Sequence, residues 1–107
     1  MKYRLIYDVM DRRRQADRRF LYDDYSFGRR PEQRHGRPLG PLWIVARDPT
    51  GGRRFWIVEK NGALELSVVR RDEMGLDHKM VLKRRCKTQR EMAALLAALF
   101  ERGGPAL

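Results

Sequence analysis

The chain predicts an α+β fold in which a single antiparallel sheet of four or five strands is packed on one face by a C-terminal α-helix. Three observations carry that expectation. They are a capped apolar helix over 88–102, two strand-like runs joined by Asn61-Gly62, and a further alternating run leading into the helix. A length of 107 residues gives one small domain, 1–107, with room for one modest core.

The helix is read from its ends and its stripe. Thr88 followed by Glu91 is a capping box, in which the Thr hydroxyl accepts one orphan backbone N–H and the Glu carboxylate reaches back to another. Met92, Leu95, Leu96, Leu99 and Phe100 recur at helical spacing, and Gly103, Gly104 and Pro105 stop the element near Arg102. Ala93, Ala94, Ala97 and Ala98 leave the back of the helix weakly apolar. It is therefore either deeply packed or in contact with a partner, and a homodimer joined through this helix is one such arrangement.

Three runs, Leu42 to Asp48, Arg53 to Lys60 and Ala63 to Arg71, make a meander punctuated by Pro49-Thr50-Gly51-Gly52 and by Asn61-Gly62. Both positions of the Asn-Gly turn need positive φ, and a two-residue loop sets Lys60 opposite Ala63. Phe55, Ile57, Leu64, Leu66 and Val68 then share the core face, joined by Ile44 and Ala46 if the preceding loop is the four residues Pro49 to Gly52. Trp43, Val45, Arg47, Arg54, Trp56, Val58 and Lys60 fall on the other face with Glu65, Ser67, Val69 and Arg71. Lys79 to Arg85 reads as the next strand. At the N-terminus Tyr3, Leu5, Tyr7 and Val9 alternate with Arg4, Ile6, Asp8 and Met10, which reads as a half-buried strand. Asp11 to Arg19 is dense in charge and poor in apolar periodicity, with Asp11 able to cap a short helix. Phe20 to Phe27 carries four aromatics that must pack. Residues 28–41, with Arg29, Arg30, Arg34 and Arg37 among Gly and Pro, read as a flexible exposed loop.

Lys plus Arg number 24 against 14 Asp plus Glu, a net charge of +10, and charged residues make up 36% where about 25% is usual. Such a field raises encounter rates with anions, so the first expected partner is nucleic acid or a ribonucleoprotein and the second an acidic protein surface. Arg outnumbers Lys 19 to 5, which suits bidentate recognition of phosphate or carboxylate. A lone Cys86 leaves no internal disulfide and no Cys-based zinc site, so a cytoplasmic location is expected. The longest uncharged apolar run, Met92 to Phe100, falls well short of the ~18 residues that suggest a membrane span. His35 and His78 lack a second strong ligand at metal spacing, and no nucleophile with its base or phosphate-cradling loop is visible. No catalytic residue, metal or cofactor is therefore assigned.

Two features point to binding. Lys79, Lys83, Arg84, Arg85, Lys87 and Arg90 lie in a stretch with no acidic residue among them, ending inside the first turn of the capped helix, where exposed N–H groups and the helix dipole favour a phosphate. The competing reading is a basic edge strand protected against pairing. Arg12, Arg13 and Arg14 supplement the cluster. The second feature is the sheet face bearing Arg54 and Trp56 with Trp43, which if exposed is a stacking platform for unpaired bases. The high average burial of Trp instead favours a covered face, beneath the N-terminal strand and the Phe20 to Phe27 aromatics.

The order of N-terminal strand, ill-defined segment, basic meander and closing helix resembles RelE-type RNA-cleaving toxins in outline, and the resemblance implies RNA cleavage as a third class of activity. Arg14 and Arg18 with Asp24-Tyr25-Ser26 differ in spacing from the cyclic-dinucleotide motifs of PilZ domains. The leading expectation is a non-enzymatic nucleic-acid-binding module using Lys83, Arg84, Arg85, Lys87 and Arg90, and the alternative is a small inhibitor or adaptor docking on an acidic surface. Thr88→Ala is expected to cost about 1 kcal/mol through the lost side-chain acceptor, read as a lower denaturant midpoint. An unchanged midpoint would count against the cap.

Overall fold

Asn61 and Gly62 both adopt positive φ, 51° and 75°, and the hairpin they close pairs Lys60 with Ala63. Around it the structure, a computed structural model, describes residues 3–25, 41–49 and 52–101. The elements run α1 (Arg4–Ala16), β1 (Leu21–Tyr25), β2 (Trp43–Asp48), β3 (Arg53–Lys60), β4 (Ala63–Arg71), β5 (Asp77–Cys86) and α2 (Gln89–Glu101). The five strands form one open antiparallel sheet in simple chain order, β1-β2-β3-β4-β5, with α2 packed against it.

The register follows the turn chemistry. Phe55 lies opposite Val68 and Ile57 opposite Leu66, while Ile44 and Ala46 face Ile57 and Phe55. All six are buried beneath Met92, Leu96, Leu99 and Phe100 of α2. The cap is present, with the Glu91 N–H donating to Thr88 Oγ1 at 3.2 Å. The stretch Gly103 to Pro105 and, apart from Pro41, the loop expected over 28–41 lie outside the described residues.

The N-terminal strand expected over Tyr3 to Met10 is instead the first half of α1. Tyr3, Ile6, Tyr7 and Met10 are buried at spacings of three and four, one stripe of a helix, and Arg4 and Asp8 pair on the outer side at i,i+4. Nearly every position there is apolar, so a period of two and a period of 3.6 both find matches. Tertiary packing decides, because α1 lies beside α2 in the same layer and both share one core with the sheet. The helix lacks a side-chain cap of its own. Gln89 of α2 supplies one, its Oε1 accepting from the Leu5 N–H at 2.7 Å and the Ile6 N–H at 3.4 Å. The Tyr3 hydroxyl donates to Glu59 of β3; burial first, and then this neighbouring carboxylate, push the phenol up to about 12.

Among the described residues three charged side chains are buried, Asp11 of α1, which accepts from the Tyr22 hydroxyl, and the pair Asp48 and Arg53. Asp48 and Arg53, at the facing ends of β2 and β3, point toward the helices and are 1% and 0% exposed. Arg53 Nη2 donates to Asp48 Oδ2 at 3.0 Å, and Arg13 of α1 completes a fork with Nε to Oδ2 at 3.2 Å and Nη2 to Oδ1 at 2.9 Å. The guanidinium of Arg13 lies over the Phe100 ring and that of Arg53 over Phe55, while the two rings touch at 5.1 Å. Burial drives the Arg53 guanidinium below its usual pKa and Asp48 pulls it back. Removing one partner of a buried pair strands the other, so Asp48→Ala is expected to cost about 3–5 kcal/mol. Arg47→Ala, which breaks a partly exposed pair with Asp23, should cost about 1 kcal/mol or less. Equal denaturant midpoints for the two variants would refute the clamp.

Candidate nucleic-acid interface

Both helices pack on one face of the sheet, and this decides what the other face presents. Trp43 and Trp56 stand on it 48% and 38% exposed. The cover expected for them is corrected for the described residues: the N-terminal segment is a helix on the opposite side, and Phe20, Tyr22 and Tyr25 turn into or against the helix-side core, while Phe27 lies outside the described residues.

The register assembles the open face row by row. Val45, Trp56, Ser67 and Lys83 occupy one transverse row across β2 to β5. Trp43, Val58, Glu65 and Arg85 occupy the next. Neighbouring strands lie ~4.8 Å apart, which sets Lys83 about 10 Å from Trp56 across the sheet. The tryptophans are diagonal neighbours, and with Val45, Val58 and Asp24 they line a shallow cleft of about 210 Å³. That is below the ~300 Å³ at which pockets for whole small molecules begin, and it suits one planar group. Arg85 Nη2 donates to the Asn61 carbonyl at 3.4 Å, and Lys60 is exposed at the same hairpin.

The basic run does not form one site. Lys83 and Arg85 belong to the open face, whereas Arg84 alternates to the helix side of the same edge strand, opposite Leu66, and is exposed there. Lys87 is exposed in the turn before α2. Arg90 lines a groove on the outer surface of the helix pair with Leu5, Asp8, Val9 and Arg12, so Arg12 and Arg90 come together on the side away from the tryptophans. Arg14 is half-buried on α1. Two bulges, at Val68/Val69 and Arg70/Arg71, twist β5, which together with its cations also disfavours edge-to-edge pairing.

Two of the sequence-assigned cations have carboxylate partners within the protein. Arg13 is occupied by Asp48 and Phe100 as described above. Arg54 bridges two carboxylates on the open face, with Nε 3.3 Å from Asp23 Oδ2 and Nη1 3.2 Å from Asp77 Oδ1. Arg47 takes the other oxygen of Asp23 at 2.7 Å. Arg54 therefore fastens β1, β3 and the start of β5 together. Asp24 was missed as a feature of this face, because the β-bulge between Tyr22 and Asp24 places both Asp23 and Asp24 on the open side, where strict alternation separates them.

The RelE-like outline loses its first element, since α1 stands where that order needs a strand. Among the described residues no three His, Cys, Asp or Glu side chains gather as metal ligands would, and no helix is long and apolar enough to cross a membrane. His35 lies outside the described residues. Comparison of the chain with protein-family models, with curated proteins and with solved structures finds no match.

Proposed function

We propose that this protein binds single-stranded nucleic acid on the open face of its sheet, stacking bases on Trp43 and Trp56 and holding phosphates with Lys83 and Arg85. The observation that carries this reading is the exposure of both tryptophans beside one another, in rows that end on those two cations. A base stacked on an aromatic ring contributes about 1–3 kcal/mol whatever its identity, and a cationic edge supplies the salt-sensitive remainder. Lys60 and Lys87 are exposed at the same end of the sheet as Arg85, while the net charge of +10 favours encounter with any polyanion. The binding is non-enzymatic in this reading.

A second reading rests on the same cleft. Tryptophans and valines ringed by charge are also the anatomy of a protein-docking hot spot, which would make the chain an inhibitor or adaptor for an acidic surface.

Two measurements separate these. Trp43→Ala and Trp56→Ala should each weaken binding of a thymidine oligonucleotide by about tenfold, corresponding to one lost stack, with the melting temperature nearly unchanged. Full affinity in both variants would remove the stacking role. Neutral Gln replacements at Lys83, Arg85 and Lys87 should flatten the dependence of log affinity on log salt by about 0.7 per phosphate lost, about 2 in all. The same change at Arg12 and Arg90, on the other side of the molecule, should leave the slope alone. Absence of oligonucleotide binding at low salt would pass the lead to the protein-docking reading.

A further inference from the structure

We infer that the Trp43–Trp56 cleft prefers guanine among the bases of a single strand, with Asp24 reading its Watson–Crick edge; this rests on the single-strand binding proposed above. Among the described residues Asp24 is the one charged residue lining the cleft, beside Trp43, Val45, Trp56 and Val58. Its neighbour Asp23 is tied to Arg47 and Arg54, whereas Asp24 pairs with no cation among the described residues. Its Oδ1 accepts the Tyr25 backbone N–H at 2.9 Å, which ties the carboxylate to the strand and leaves acceptor capacity on both oxygens.

Electrostatics makes this carboxylate informative. Beside a path for phosphates a negative charge is repulsive, so Asp24 lowers the affinity of the face unless it accepts hydrogen bonds from what binds there. Guanine alone among the common bases offers two adjacent donors, N1–H and the 2-amino group, matching the two oxygens of a carboxylate. Adenine and cytosine each place a ring acceptor beside their one amino group, and thymine flanks its single N–H with two carbonyls. With those bases Asp24 faces an acceptor it cannot satisfy. With guanine stacked on a tryptophan it closes a bidentate, charge-assisted pair.

The test uses the full chain and fluorescence anisotropy of three labelled strands: a thymidine nonamer, the same strand with a central guanine, and the same strand with central hypoxanthine. The guanine strand should bind about tenfold more tightly than plain thymidine, as expected of one good bidentate base contact. Hypoxanthine, which keeps N1–H and lacks the 2-amino group, should recover only part of that gain. Asp24→Asn keeps the contact to Tyr25 and should abolish the guanine gain while holding or raising affinity for the plain strand. Equal binding of all three strands by the parent, or an undiminished preference in Asp24→Asn, overturns the guanine assignment and leaves the stacking reading standing. Failure of every strand to bind overturns both. Free GMP binding as tightly as the guanine strand would overturn the single-strand part of the proposal, since a strand's phosphates would then contribute nothing.

Discussion

The buried carboxylate of Asp48 is the constraint on which the arrangement of layers depends. It sits where β2 ends, is held from the adjacent strand by Arg53, and is gripped from the helix layer by the fork of Arg13. Apolar packing alone is tolerant of sliding, because hydrophobic attraction has no direction. A bidentate guanidinium–carboxylate pair has direction, and it forms only if α1 lies at one height and one rotation above the sheet. The Phe55–Phe100 contact, flanked by the same two guanidinium groups, carries that constraint on to α2. Placing charge in a core is costly, and its return here is a unique docking of a helix that is otherwise heavily charged.

Because α1 is held on the α2 side, the described residues leave the sheet one face covered by helices and one not, and its surface chemistry divides accordingly. The helix layer displays Arg12 and Arg90 around an apolar groove, while the open face gathers the tryptophans, Asp24 and the cations of β5. The open face is itself graded. One end of it is knit by Asp23, Arg47, Arg54 and Asp77 across β1, β2, β3 and the start of β5, and further along β5 Lys83 is left exposed. A binding surface gains from that division, since the knit side holds the aromatic platform in register while the exposed side meets the ligand.

Most of the meander was legible from sequence because turn chemistry is local. Asn61-Gly62 admits one loop length, so from Lys60 opposite Ala63 every β3–β4 pairing follows with its face, and the four-residue connection from Asp48 to Arg53 sets β2 against β3. α2 was legible for the same reason, through Thr88 and an uninterrupted apolar stripe. α1 was not, since Tyr3 to Met10 satisfies both helical and strand periods and only the partners above and below it choose. The candidate site was legible in composition and not in assembly. Trp56, Lys83 and Arg85 were singled out from separate features, and that they share a face is a consequence of register. The roles of Arg13 and Arg54 were hidden for a different reason, because an ion pair between residues 35 or 31 positions apart leaves no periodic trace.

The cap that Gln89 provides for α1 ties together residues 84 positions apart. Helix formation begins with a costly nucleus, and α1 has no side chain of its own to satisfy its first amides. The amides that open α1 are therefore satisfied from the far end of the described fold, by the opening turn of α2. Two segments remote in sequence are fastened directly to one another, so the order of α1 depends on tertiary structure more than on its own first turn.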